Sequence, residues 1–384
     1  MKNRIGIMTS EESFLNNYGA VLQGFALFTV LRDMGFDPQI IRYDGLRNQA
    51  TNRGKIASFI NSSGKLKRII NKVKRKKISD QIIGRTELFR AFQDKYMVFF
   101  SEKRHCWDSI RHDPPQFDQY VCGSDQIWNP VFKGNANDRG YFLDFAPLGK
   151  RRIAYAPSVG VNVLPAECSD EFNELILKFD SISVRERSGA RIIESLTGKE
   201  CFVALDPTLL LEPERWRGME VPLKNIQNEF VLVYQFRSSE FQVQSVEMLS
   251  KALGLPVVSI ALSEASLETP FEKRFDVGPS EFLWLVDHAR FVCTDSFHAT
   301  VFSILFGTPF IVFEREKIGK AGADMNSRVS NLLETFDLSE RIVKQEADLS
   351  RIDLESCDFS TAWDALVSTR ALSINYLRTA LETP

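Results

Sequence analysis

His298 stands where a side chain of this chain could do the most chemistry. Arg290-Phe291-Val292-Cys293-Thr294 reads as a short buried strand and Ala299 to Phe306 as an apolar helix, so the imidazole falls in the turn at the strand's carboxyl end. In open α/β sheets ligands gather at that edge. A helix N-terminus there offers N–H groups to an anion, and an imidazole can move a proton near neutral pH. The plainer alternative is an Asp295-Ser296 helix cap followed by a histidine that only packs.

Polar residues recur at other strand ends. Asn16-Asn17-Tyr18-Gly19 opens a helix after the first strand, with Gln23 one turn in; amides and a phenol suit sugar hydroxyls. Gly123-Ser124-Asp125-Gln126-Ile127-Trp128-Asn129 follows the strand from Phe117 to Cys122. Asp125 could bind a hydroxyl or act as a base, against an Asx turn beside a packed tryptophan. Arg185-Glu186-Arg187 follows Ser181 to Val184. Arginine binds carboxylate or phosphate bidentately; the competing reading is a surface ion pair with Glu186. Arg315, Lys317 and Lys320 follow Pro309 to Phe313. Cations at neighbouring strand ends make a pocket for one or two negative charges. GxGxxG, Walker A, HExxH and GxSxG are absent, which leaves dinucleotide, P-loop, zinc-protease and hydrolase-elbow readings without support.

The elements that must position these groups read as two α/β sets. Ile5 to Thr9, a helix from Ala20 to Met34 ended by Gly35, and Gln39 to Tyr43 form a βαβ unit, which implies a right-handed crossover and a parallel sheet. Strand-like runs recur at 152–156, 181–184 and 201–205, with helical stretches near 84–97, 165–179 and 187–197. Residues 206–228, with Asp206-Pro207-Thr208, Pro213 and Pro222, read as the connection out of the first set. The second set has strands at 230–236, 257–262, 291–294 and 309–313 between helices near 240–253, 279–288, 297–306 and 326–335; a last helix spans about 361–381. The expected domains are 1–210, with a basic helical insertion at about 51–100, then 211–340, then a helical segment 341–384 that packs back on the first. Two doubly wound, Rossmann-like domains facing each other make a cleft, the default binding site.

The 384 residues suffice for two domains, and 44% hydrophobic with 26% charged residues is ordinary for a globular protein. A net charge of -2 gives no global pull toward nucleic acid. The six cysteines form no CxxC pair or zinc-type spacing, and no run reaches the length of a membrane span. These features place the chain in the cytoplasm, with no signal peptide and no metal. Residues 51–80 differ: ten Lys/Arg interleave with Ile56, Phe59, Ile60, Leu66, Ile69, Ile70 and Val73. That pattern fits an anionic membrane surface or a pyrophosphate, or equally a solvated flap.

Taken together, Asn17-Tyr18-Gly19-Ala20-Val21-Leu22-Gln23, Gly123 to Asn129, Ser183-Val184-Arg185-Glu186, Asp206-Pro207-Thr208-Leu209-Leu210, and Asp295 to Ala299 with Gly307-Thr308-Pro309 resemble the polysaccharide pyruvyl transferase family, in its order over residues 4–335. The resemblance implies a GT-B-like fold and transfer of pyruvate from phosphoenolpyruvate to a sugar, usually as a cyclic ketal, with no cofactor or metal. It implies an essential histidine at His298, as general acid or activator of the sugar hydroxyl. It places the donor on Arg185 and on Lys317 or Lys320, to which the helix start at Ser296 and Ala299 would add backbone amides. Where many relatives carry a basic residue just before the histidine, this chain has Ser296 and Phe297. The acceptor falls against Asn17, Tyr18, Gln23, Asp125 and Gln126, and the basic stretch suggests that it is a lipid-linked sugar at the inner membrane face. The competing functions are a GT-B glycosyltransferase using a nucleotide sugar and a non-catalytic carbohydrate-binding relative.

Overall fold

A computed structural model describes residues 2–11, 14–45, 83–97, 100–132, 138–226, 229–236, 238–261, 269–315, 326–354 and 356–382. Lys317, Lys320 and the basic stretch 51–80 lie outside them.

Among the described residues the first sheet contains β1 (Arg4–Met8), β2 (Asp37–Tyr43), β3 (Phe100–His105), β4 (Gln119–Cys122), β5 (Arg151–Ala154), β6 (Ser181–Val184) and β7 (Phe202–Val203). Its spatial order is β3-β2-β1-β4-β5-β6-β7. The second contains β8 (Val231–Tyr234), β9 (Val257–Ile260), β10 (Glu272–Arg274), β11 (Phe291–Thr294), β12 (Phe310–Phe313) and β13 (Ile342–Val343), in the order β10-β9-β8-β11-β12-β13. Every pairing is parallel. Both sheets therefore have the doubly wound order, and the chain folds as two parallel-sheet α/β domains. Each domain has a switch point, between β1 and β4 and between β8 and β11, where Met8 pairs with Cys122 and Tyr234 with Thr294. Ligand crevices form outside strand ends at such points.

Two helices start at these crevices. Tyr18–Asp33 is capped by Asn17, whose side chain accepts from the Ala20 N–H, and is buried from Tyr18 through Leu31. Phe297–Phe306 is capped by Ser296, has all ten residues buried, and stops at Gly307, which sits in the left-handed region at φ +74. Helices apolar all round belong inside a large core. Here the core runs between the domains: Phe25 lies 5.7 Å from Trp216, Trp216 5.0 Å from Phe302, Phe302 6.0 Å from Phe282, and Phe282 4.8 Å from Tyr18, centroid to centroid. Burying that many rings in one interface fixes the cleft's walls relative to each other.

The last helix, Ser360–Glu382, touches both domains. Trp363 donates to the Ile304 carbonyl, whereas Ser373 accepts from the Leu205 N–H, Tyr376 donates to the Ala154 carbonyl, and the Leu381 carbonyl accepts from Gln119. Among the described residues no helix is long and apolar enough to cross a membrane.

Candidate functional site

The two switch points meet at a cavity of about 320 Å³, at the small end of small-molecule sites. Its lining includes Ser10, Asn17, Asp125 and Gln126 from the first domain, and Asp295, Ser296, His298, Arg315, Asn326 and Arg328 from the second.

His298 is the second residue of the Phe297–Phe306 helix and is 9% exposed. Its ring is bracketed. On one side is Gly19, where an added Cβ would lie 2.0 Å from Nδ1. On the other is Asp206, whose Oδ2 is 3.7 Å from Nε2, an ion-pair distance rather than a hydrogen bond. Asp206 is fully buried and held by four further donors. Its Oδ2 accepts from Ser124 Oγ and Arg185 Nη1, both at 2.9 Å, and its Oδ1 from the Thr208 N–H and hydroxyl. Burial works to raise its pKa, but His298, Arg185 and the Thr208 hydroxyl outweigh it and hold the carboxyl far below the usual range. Asp206 is thus a fixed negative charge beside the imidazole, an arrangement that can orient such a ring and balance a positive charge on it.

Asp125 sits in the left-handed region at φ +85, a position that costs a non-glycine residue about 1–2 kcal/mol. It accepts from the Ser10 hydroxyl at 2.7 Å and the Gln126 N–H at 2.7 Å. Burial would raise its pKa, and the charges of Arg185 and His298 with those two donors lower it on balance. Two carboxylates, both ionised, therefore flank the histidine's end of the cavity.

Three guanidinium groups answer them. Arg185 has a side chain 1% exposed, pairs with Asp206, lies 3.9 Å from Asp125 and sits 4.5 Å above the Phe297 ring. It lies behind the cavity wall rather than in the lining, and its Nε and Nη2 have no hydrogen-bond partner among the described residues. Arg315 lines the cavity, pairs with Asp295 at 3.3 Å and covers the Phe236 ring. Arg328, at the start of the Ser327–Thr335 helix, lines the cavity with 5% exposure.

Other expected site residues have different surroundings. Tyr18 is 1% exposed, donates to the Val277 carbonyl at 2.7 Å and stacks on Phe282; burial pushes its pKa up to about 12. It joins the domains instead of facing an acceptor. Gln23 is fully buried, with Nε2 donating to Thr9 Oγ1 and the Ala20 carbonyl, so its amide braces the β1 end. Both corrections have one cause: the first helix is enclosed by both domains, and only Asn17 and Gly19 of its first turn line the cavity. Ala299 is also fully buried, and its N–H donates to Ser296 Oγ at 3.5 Å, which removes it as a ready donor contact. Trp128 is buried against Phe142, its ring 5.1 Å away, and offers no platform for a sugar. Glu186 does not pair with Arg185; it accepts from Ser158 and the Gly160 N–H. Asn17, Asp125, Gln126, Ser296 and His298 share the cavity, whereas Lys317 and Lys320 fall among undescribed residues.

Asp206 helps carry the family resemblance but receives no site role from the sequence, and Arg328 escapes the sequence reading. Asp206-Pro207-Thr208 looks like a linker turn, and Arg328 looks like one more charge on an amphipathic helix. The available signal is polarity: a cation in the first turn of a helix opposes the helix dipole and asks for another reason to be there.

The chain was compared with known proteins. No curated protein matches it. Among solved structures it is similar to a UDP-GlcNAc 2-epimerase from Methanocaldococcus jannaschii in complex with UDP-GlcNAc and UDP, at 11% identity and TM-score 0.48, over 97% of this chain and 99% of that one. It is likewise similar to the UDP-GlcNAc 2-epimerase of Neisseria meningitidis bound to UDP-GlcNAc, at 9% identity and TM-score 0.47 over 99% and 100%. Arabidopsis thaliana UGT89C1 complexed with quercetin gives 10% and 0.46 over 100% and 96%. Likenesses this distant carry no argument about chemistry. The family match does: the sequence model described as polysaccharide pyruvyl transferase fits residues 17–317, which span Asn17, Asp125, Arg185, Asp206, His298 and Arg315, and the chain belongs to that family.

Proposed function

We propose that the protein transfers pyruvate from phosphoenolpyruvate to two hydroxyls of a sugar in a polysaccharide precursor, with His298 moving the proton. The observation that carries this reading is the cavity itself. One histidine, braced by Asp206, faces a small space lined by Arg315 and Arg328 and backed by Arg185. Phosphoenolpyruvate carries a carboxylate and a phosphate on three carbons and needs cations on both ends.

The chemistry balances without a redox partner. A first sugar hydroxyl adds its oxygen to the carbon bearing the phosphate. A proton reaches the methylene carbon, which becomes methyl. A second sugar oxygen then displaces the phosphate from the same carbon and closes the ketal; its proton leaves with the phosphate. His298 serves as the acid toward the methylene or as the base toward the first hydroxyl. Asn17, Asp125 and Gln126 form the polar wall against which the sugar is held.

The basic segment 51–80 supports a lipid-linked or pyrophosphate-bearing acceptor. A heat-protection assay tests the donor: phosphoenolpyruvate should raise the melting temperature and nucleotide sugars should not. The reverse result would assign the site to glycosyl transfer.

A further inference from the structure

Resting on that reading, we propose that Arg328 and the first turn of the Ser327–Thr335 helix form the subsite for the donor's phosphoryl group. Three arginines crowd this region, but their partners differ. Arg185 is engaged with Asp206 at 2.9 Å, and Arg315 with Asp295 at 3.3 Å. Among the described residues Arg328 makes no ion pair and its Nε has no hydrogen-bond partner, and it is 5% exposed in the wall of the cavity.

An unpaired buried charge is costly and persists where something else compensates it. Nothing in the helix does so. Arg328 lies in the first turn, where the dipole adds positive potential. The helix also lacks a side-chain cap, because Asn326 is turned to the backbone of Arg315, accepting from its N–H at 2.8 Å and donating to its carbonyl at 2.9 Å. Burial, then the charges of Arg185 and Arg315, push the Arg328 pKa down to about 9, against the opposing pull of Glu186 and Asp125. The guanidinium stays protonated at neutral pH in a spot that disfavours it.

A planar fork of donors beside a helix N-terminus matches a phosphoryl dianion. The donor's carboxylate, with a single charge, is left to Arg315. When phosphate departs, the same groups receive it.

The test uses the full chain and two probes, inorganic phosphate and phosphoenolpyruvate, titrated by calorimetry into wild type, Arg328→Gln and Arg328→Lys. The proposal expects Arg328→Gln to weaken both probes by about 10–100-fold, and to melt at the same or a higher temperature without ligand. Arg328→Lys should retain an intermediate affinity and stands in if the glutamine variant does not fold. A structural arginine would behave oppositely: Arg328→Gln would melt lower and bind both probes as wild type does, which overturns the subsite. Wild type that binds phosphate but not phosphoenolpyruvate would sink the donor assignment and leave the phosphoryl subsite standing.

Discussion

Replacing Gly19 by alanine isolates the contact between the first helix and the His298 ring. The new Cβ would lie 2.0 Å from His298 Nδ1, 2.5 Å from Cε1 and 2.6 Å from Cγ. Ordinary contact begins near 3.4 Å, so ring or helix must yield by about 1.4 Å. The ring cannot slide straight back, because Asp206 Oδ2 is 3.7 Å from its far nitrogen. It must rotate out of place. Such overpacking costs about 1–3 kcal/mol, and the better helix propensity of alanine returns about 1 kcal/mol. Stability should therefore change little. A catalytic group displaced by about 1 Å loses on the order of 10²-fold in rate. Turnover measured as phosphoenolpyruvate-dependent phosphate release, beside a thermal melt, separates the two effects. The expected result is a near-normal melt with at least about 10²-fold lower kcat. Activity within a few-fold of wild type would show that the histidine does not stand against the first helix.

Other perturbations have equally definite outcomes. Asp206→Asn removes the closer of the two carboxylates beside buried Arg185 and leaves Asp125 at 3.9 Å, which should cost up to about 3–5 kcal/mol in denaturant unfolding. Because the folded pKa of Asp206 lies below its unfolded value, its contribution is full above about pH 4 and fades as pH falls; the asparagine variant should lose part of the acid-side slope. Glu220 has the opposite sign. Burial, with Asp287 beside it, raises its pKa to about 7, so the folded state holds a proton that the unfolded state has released. Stability should fall as pH rises from about 4.5 to about 7, and Glu220→Gln should flatten that fall in urea titrations. Neutralising Lys74, Arg75, Lys76 and Lys77 should weaken binding to anionic liposomes at low salt; unchanged binding would remove the membrane from the account.

The parts of the fold readable from sequence were those with apolar strands and helices. β1, β6, β11 and the helix after β11 announce themselves by hydrophobic runs closed by Asn17, Arg185 or Gly307. The strands that escaped are sheet edges. β3 reads Phe-Ser-Glu-Lys-Arg-His and β10 reads Glu-Lys-Arg. Edge strands carry charge to discourage further pairing, so they lack the signal that betrays a buried strand. β13 is two residues long and has no room for a pattern. At the site, His298 and Asp125 were visible because their turns are unusual. Tyr18 and Gln23 were misplaced because no local rule reveals that a helix will be enclosed by a second domain more than 200 residues away, where Tyr18 meets Val277. Asp206 and Arg328 acquire meaning only through partners distant in sequence.

One measurement bears most directly on the claim that His298 transfers a proton within an arginine-lined cavity. Isotope-labelled phosphoenolpyruvate is incubated with a panel of lipid-linked and nucleotide-linked sugars, using wild type and His298→Ala. The account predicts labelled pyruvate on a sugar in step with phosphate release, and about 10²–10⁴-fold slower turnover in the variant with phosphoenolpyruvate still bound. Equal turnover by the two proteins would contradict it.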